Sequence, residues 1–162
     1  MAYADSKIET ILPLIVTRLI SQLSLSTATC FLGDRDEEHS PNPGTAYYVV
    51  FPDGGRFDDS LFAGGGREQL CADAIFGVKI ISRLMLDRPG VATQVFTHAT
   101  HGLMPKMHSV LDALAAFEPS SGGNTLVREV VQPLDWQGPT RKAKDLSELI
   151  VRFGCLFDWD LS

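Results

Sequence analysis

The chain has 162 residues, 44% of them hydrophobic and 21% charged, with a net charge of −6. That is the size of one domain with its own core, and the apolar content suffices to offset the entropy of ordering, which excludes disorder over the whole length. The acidic balance also excludes tight binding to DNA or RNA, which needs Lys and Arg against the phosphates.

The first patterned segment, residues 5–23, sets Ile8, Ile11, Leu12, Ile15, Leu19 and Leu23 at three- and four-residue spacing, one apolar stripe on a helix. Pro13 lies inside it and removes an internal hydrogen bond, so a kink or a late start is expected. Glu9, Thr10, Thr17 and Arg18 break the run, and Asp5 precedes it. The segment is therefore read as neither a membrane span nor a signal peptide, and the protein is expected to stay where it is made.

Residues 27–32 are short and β-prone, and residues 33–44 read as a long loop. That loop carries Asp34, Arg35, Asp36, Glu37 and Glu38. The run lacks the alternating carboxylates of a calcium loop, so a solvated acidic loop is expected, with His39 beside it and no switch in view. Residues 34–66 as a whole hold seven acidic and two basic groups, a net −5.

Residues 46–51, Ala-Tyr-Tyr-Val-Val-Phe, form a continuous aromatic and β-branched run, the pattern of a strand covered on both faces. A further strand is expected over 56–63, ending at Gly64-Gly65-Gly66. Those glycines are followed by Arg67-Glu68 where a phosphate loop needs Lys-Ser or Lys-Thr, so they read as a hairpin tip. Over 72–81 the alternation puts Ala72, Ala74, Phe76, Val78 and Ile80 on one face, with Asp73 and Lys79 opposite. Onward to Leu86 the pattern leaves strand and helix open.

His98, His101 and His108 cluster with no cysteine within 25 residues, which argues for surface histidines and against zinc. Met104, Met107, Leu111, Leu114 and Phe117 predict a second helix, with Pro105 in its first turn and a stop near Glu118. Residues 126–132 predict a strand halted by Pro133, then a loop over 133–144. The last strand, 146–159, sends Leu149, Val151, Phe153, Cys155, Phe157 and Trp159 to one face. The order is helix, about four strands, helix, two strands. Consecutive strands predict an α+β domain spanning residues 1–162: a mostly antiparallel sheet of about five to six strands with both helices on one side.

Chemistry is hard to find in this pattern. Cys30, Cys71 and Cys155 sit in apolar strand-like segments and read as buried reduced thiols. No Gly-x-Ser-x-Gly elbow occurs, and paired aspartates such as Asp58-Asp59 are commonplace on surfaces. No catalytic, metal or cofactor residues are assigned, and the protein is expected to act by binding other chains. Phe57, Leu61 and Phe62, on a hairpin over 54–66, are the candidate subunit contacts, packing in their own core being the alternative.

Taken in order, the amphipathic first helix, the strand with Tyr47-Tyr48-Val49-Val50, the Gly-rich hairpin, the helix with Leu111, Leu114 and Phe117, and the closing Val151-Arg152-Phe153-Gly154-Cys155-Leu156-Phe157-Asp158 form a familiar layout. It resembles the tail-terminator and tail-completion proteins of tailed bacteriophages. The resemblance implies a ring, commonly a hexamer, that caps the tail tube and meets the head-side connector in the virion. Its partners would be further copies of itself, the tail tube protein and the connector or neck protein, with DNA passing through the lumen and no membrane involved. Asp34, Asp36, Glu37, Glu38, Asp58 and Asp59 would then line the lumen or meet a basic partner. A head-completion or neck adaptor, and a small α+β ligand-binding domain or enzyme, are the competing readings.

Overall fold

The computed structural model describes residues 8–42, 45–57, 69–83, 102–142 and 146–160. Helix α1, Ile8–Leu23, buries Ile11, Leu12, Ile15 and Leu19, the stripe that the spacing predicts. It runs on through Pro13, and Thr17 Oγ1 donates to the Pro13 carbonyl at 3.0 Å. Strands β1 (Cys30–Leu32), β2 (Ala46–Phe57) and β3 (Gln69–Arg83) follow, then helix α2 (Leu103–Leu114). A small hairpin, β4 (Ser120–Ser121) and β5 (Asn124–Thr125), precedes the long strands β6 (Glu129–Arg141) and β7 (Leu146–Asp160).

The main sheet has five strands in the order β1-β2-β3-β7-β6, with β4 and β5 forming a separate pair. All its pairings are antiparallel except β1 with β2, which is parallel. The class is α+β, and the five-stranded sheet is mostly antiparallel with one parallel pair at its β1 edge. Both helices lie on one face. There Val50, Phe76, Val78, Ile80, Leu149, Val151, Phe153 and Phe157 join Ile11, Ile15, Leu19, Leu103, Val110 and Leu114 in one core. Phe76 and Phe153 stack across β3 and β7 with centroids 5.3 Å apart, a geometry worth about 0.5–1.5 kcal/mol beyond area burial.

Three expectations need correction. Pro133 does not halt a strand, and 133–144 is not a loop: β6 runs through Pro133 and Pro139 to Arg141. It is an edge strand, so a missing N–H on its outer side breaks no ladder bond, and register shifts between Glu129 and Thr140 absorb the rest. The second helix stops at Leu114, not near Glu118. Ala116 takes a positive φ of 61°, and Ala116 N and Phe117 O bond Val131, which draws the chain off the helix onto β6. Phe117 still packs on the core, under the Arg18 guanidinium at 5.1 Å. Finally, Arg56 and Phe57 do not begin a new strand. They end β2, which passes through a register shift between Pro52 and Gly55, with Gly54 at φ 83°. The remainder of that expected strand (58–63), the glycine run with Arg67, the stretch towards Leu86, His98, His101 and the Trp159 side chain lie outside the described residues.

Candidate functional site

With helices on one face, the alternation of β2, β3 and β7 turns a second set of side chains outward. Val49, Phe51, Cys71, Ile81 and Ile150 are buried there although no helix covers them. Part of their cover is the acidic segment itself. Residues 33–42 fold back over the sheet as a strap, where the sequence suggests a solvated loop. Phe31, Val49, Lys79, Ile150 and Gln137 form one row across β1, β2, β3, β7 and β6, and the strap follows it. Lys79 is only 2% exposed, and its ammonium donates to the carbonyls of Arg35 at 2.6 Å and Glu37 at 2.7 Å. A buried ammonium needs such acceptors, since its lost hydration is otherwise uncompensated.

Two further contacts fix the strap. Glu37 Oε2 accepts from the Asp34 N–H at 3.1 Å, and Glu37 Oε1 lies 3.1 Å from His39 Nε2. That second pair is close enough for charge attraction but is not aligned as a hydrogen bond. The His39 ring packs edge-on against Phe31 and Tyr47 at 4.9 and 5.9 Å. Asp34, Asp36, Glu37 and Glu38 thus ride on an anchored segment, each carboxylate-bearing residue exposed. Asp58 and Asp59, like Leu61 and Phe62, lie outside the described residues. Of the proposed contact trio, Phe57 is placed: it ends β2 and is 55% exposed.

In the next outward row, Phe51, Gly77, Arg152 and Asp135 succeed one another across β2, β3, β7 and β6. Phe51 lies over Gly77, where an added Cβ would stand 2.2 Å from its ring. The bare backbone at Gly77 also suits the reach of Arg152 towards β2. Its guanidinium bonds Asp135, with Nε to Oδ1 at 2.7 Å, and lies 3.4 Å from Asp53 Oδ2. Asp53 in turn takes Arg35 Nη1 at 3.1 Å, and Arg35 Nη2 donates to Gln137 at 2.8 Å. Arg56 with Asp73, Arg128 with Asp158 and Lys142 with Glu148 add pairs at 3.4, 2.6 and 3.0 Å. The outward face thus carries several pairs of opposite charge, although Asp158 Oδ1 and His39 Nε2 are buried without an aligned hydrogen bond. Sequence reading missed this because the partners are far apart along the chain; only Gly77 inside an alternating strand hinted at a close approach.

An open cleft of about 700 Å³ lies between the strap and the β6–β7 end, rimmed by Glu38, His39, Lys79, Thr140, Lys142 and Glu148. Its volume is that of a ligand site, but Lys79 is held by carbonyls and Lys142 by Glu148. Among the described residues no group of three or more His, Cys, Asp or Glu is arranged to hold a metal. The three cysteines are buried and unbridged. Burial pushes the Cys30 thiol up to about 11 and, with help from the Asp73 charge, Cys155 up to about 12. Neither is a thiolate nucleophile near neutral pH. No helix among the described residues is long and apolar enough to cross a membrane.

Four large apolar side chains are exposed among the described residues: Leu32 (45%), Phe57 (55%), Leu134 (51%) and Trp136 (58%). Leu32 belongs to the β1 edge of the sheet, and Leu134 and Trp136 belong to the β6 edge. Sequence reading of residues 133–144 as a loop passed over Leu134 and Trp136.

No protein-family model and no curated protein sequence matches the chain. Among solved structures, a chain from the virion of a native gene transfer agent particle shares the fold, with a TM-score of 0.52 at 12% identity, over 98% of this chain and 99% of that one. A second solved chain, 16% identical over 90% of this chain and 94% of its own, has a TM-score of 0.44 and carries no weight.

Proposed function

We propose that the chain is a structural protein of a phage-like virion, not an enzyme, and that it forms a ring capping the tail tube and joining it to the head-side connector. The observation that carries this reading is the end-to-end likeness of fold to a chain of a gene transfer agent virion. The ion pairs that Arg35 and Arg152 make with Asp53 and Asp135 on the outer face support it, because they tie these charged groups to one another. In this reading one ring face meets the last tube ring and the other meets the connector. The anchored carboxylates of Asp34, Asp36, Glu37 and Glu38 face the lumen, where negative charge keeps passing DNA from adhering.

The cleft beside the strap favours the ligand-binding alternative by its volume alone. Polymerisation of the tube protein of the same particle, with and without this chain, separates the two. The terminator reading expects shorter tubes bearing extra density at one end. Unchanged tube lengths and bare ends would defeat it.

A further inference from the structure

The cleft beside the strap carries a charge that its surroundings do not balance. Lys79, 2% exposed, lines its wall, and the acceptors of its ammonium, the carbonyls of Arg35 and Glu37, are both neutral. An ammonium has three N–H donors, so one is unspent, and Lys79 makes no ion pair among the described residues. The other cations around the cleft are matched, Arg35 by Asp53 and Lys142 by Glu148. A buried charge is held well when both hydrogen bonds and an opposite charge meet it. For Lys79 the fold supplies the hydrogen bonds and no opposite charge.

The rest of the lining limits what can supply it. Ile81 and Ile150, 3% and 7% exposed, give the cleft an apolar floor, and Ile150 is the register partner of Lys79 across β3 and β7. The strap adds the carboxylates of Asp36 and Glu38, which are exposed and make no ion pair among the described residues. A plain anion would meet those two as like charges. A molecule with a carboxylate at one end, a short aliphatic stem and a cationic group at the other matches the buried cation, the apolar floor and the acidic rim together.

We infer that the cleft is a binding site for a small zwitterion of this kind. Its carboxylate accepts the unspent N–H of Lys79, its stem lies over Ile81 and Ile150, and its cationic end meets Asp36 and Glu38. The volume of about 700 Å³ is within the range of small-molecule sites. The site is complete in one copy of the chain, so the inference does not depend on the assembly reading.

Isothermal titration calorimetry of the full-length protein with 6-aminohexanoate, hexanoate and hexylamine tests it. Saturable binding of 6-aminohexanoate is expected, tighter than that of either single-charge relative. Asp36→Asn combined with Glu38→Gln leaves the anchoring contacts of the strap in place. This variant should bind 6-aminohexanoate about 2- to 5-fold more weakly, the worth of an exposed ion pair, and hexanoate no more weakly than before. Lys79→Met should weaken both carboxylates by about 10-fold or more, as loss of a charged hydrogen bond requires. Absence of saturable binding, or hexylamine binding as tightly as 6-aminohexanoate, would overturn the inference. Equal affinity for hexanoate and 6-aminohexanoate would overturn it too, as would full-strength binding by Lys79→Met.

Discussion

Substituting Gly77 by Ala tests how the outer face is built. An added Cβ there would lie 2.2 Å from Phe51 Cζ and 2.7 Å from both Cε atoms, and Phe51 is wholly buried. The buried ring must tilt or lift. Overpacking of this kind costs about 1–3 kcal/mol, while replacing glycine in a strand returns about 0.5–1 kcal/mol. The net expectation is a loss of about 1–2 kcal/mol, or roughly 2–8 °C in Tm for a domain of this size. The assay is urea unfolding at fixed protein concentration for Gly77→Ala, Phe51→Leu and the pair. If the clash is the cause, the smaller side chain relieves it, and the double variant is more stable than the two losses added together by about 1 kcal/mol. Additive losses would refute the reasoning, and a stabilised Gly77→Ala would show that Phe51 does not occupy that space.

Lys79→Met removes both donors to the strap carbonyls; hydrogen bonds from a charged group are worth about 1.5–3 kcal/mol, so a Glu-specific protease should cut at Glu37 and Glu38 about 10-fold faster, and an unchanged rate would contradict the anchor. The Arg152 guanidinium holds the Asp135 carboxyl below the usual carboxylate range, chiefly through its hydrogen bond. Stability from that pair is present above about pH 4 and is lost as pH falls through the lowered value. Because the pair is solvent-screened, Asp135→Asn should cost well under about 1 kcal/mol near neutrality. The deficit should close in acid, and an equal deficit at about pH 7 and about pH 2.5 would refute the pairing. A thiol reagent near neutral pH should label Cys30 and Cys155 only after denaturation, and rapid labelling of the native chain would contradict their burial.

The inner half of the fold was legible because it is periodic. The stripe on α1 and the alternation of β3 and β7 name the same residues that meet in the core. What escaped were features decided by neighbours distant in sequence. Pro133 breaks a central strand but is tolerated at an edge, and only the strand order tells which applies. Lys79 reads as a solvent-facing residue until residues 33–42 are seen to cross it. The acidic residues are exposed as they read, but the anchoring of their segment was hidden, since it joins carbonyls of the run to an ammonium about 40 residues away. Trp136 is plain in the sequence, but its place on an edge strand, in register with Val151, exists only in the strand order.

The central claim is that the surface of this chain works by assembling copies of itself around a lumen. Native mass spectrometry of the full-length protein across a range of concentrations tests it most directly. A ring predicts one closed species of fixed copy number, with little dimer or trimer between it and the monomer. A monomer at every concentration, or an open series with no preferred size, would contradict it.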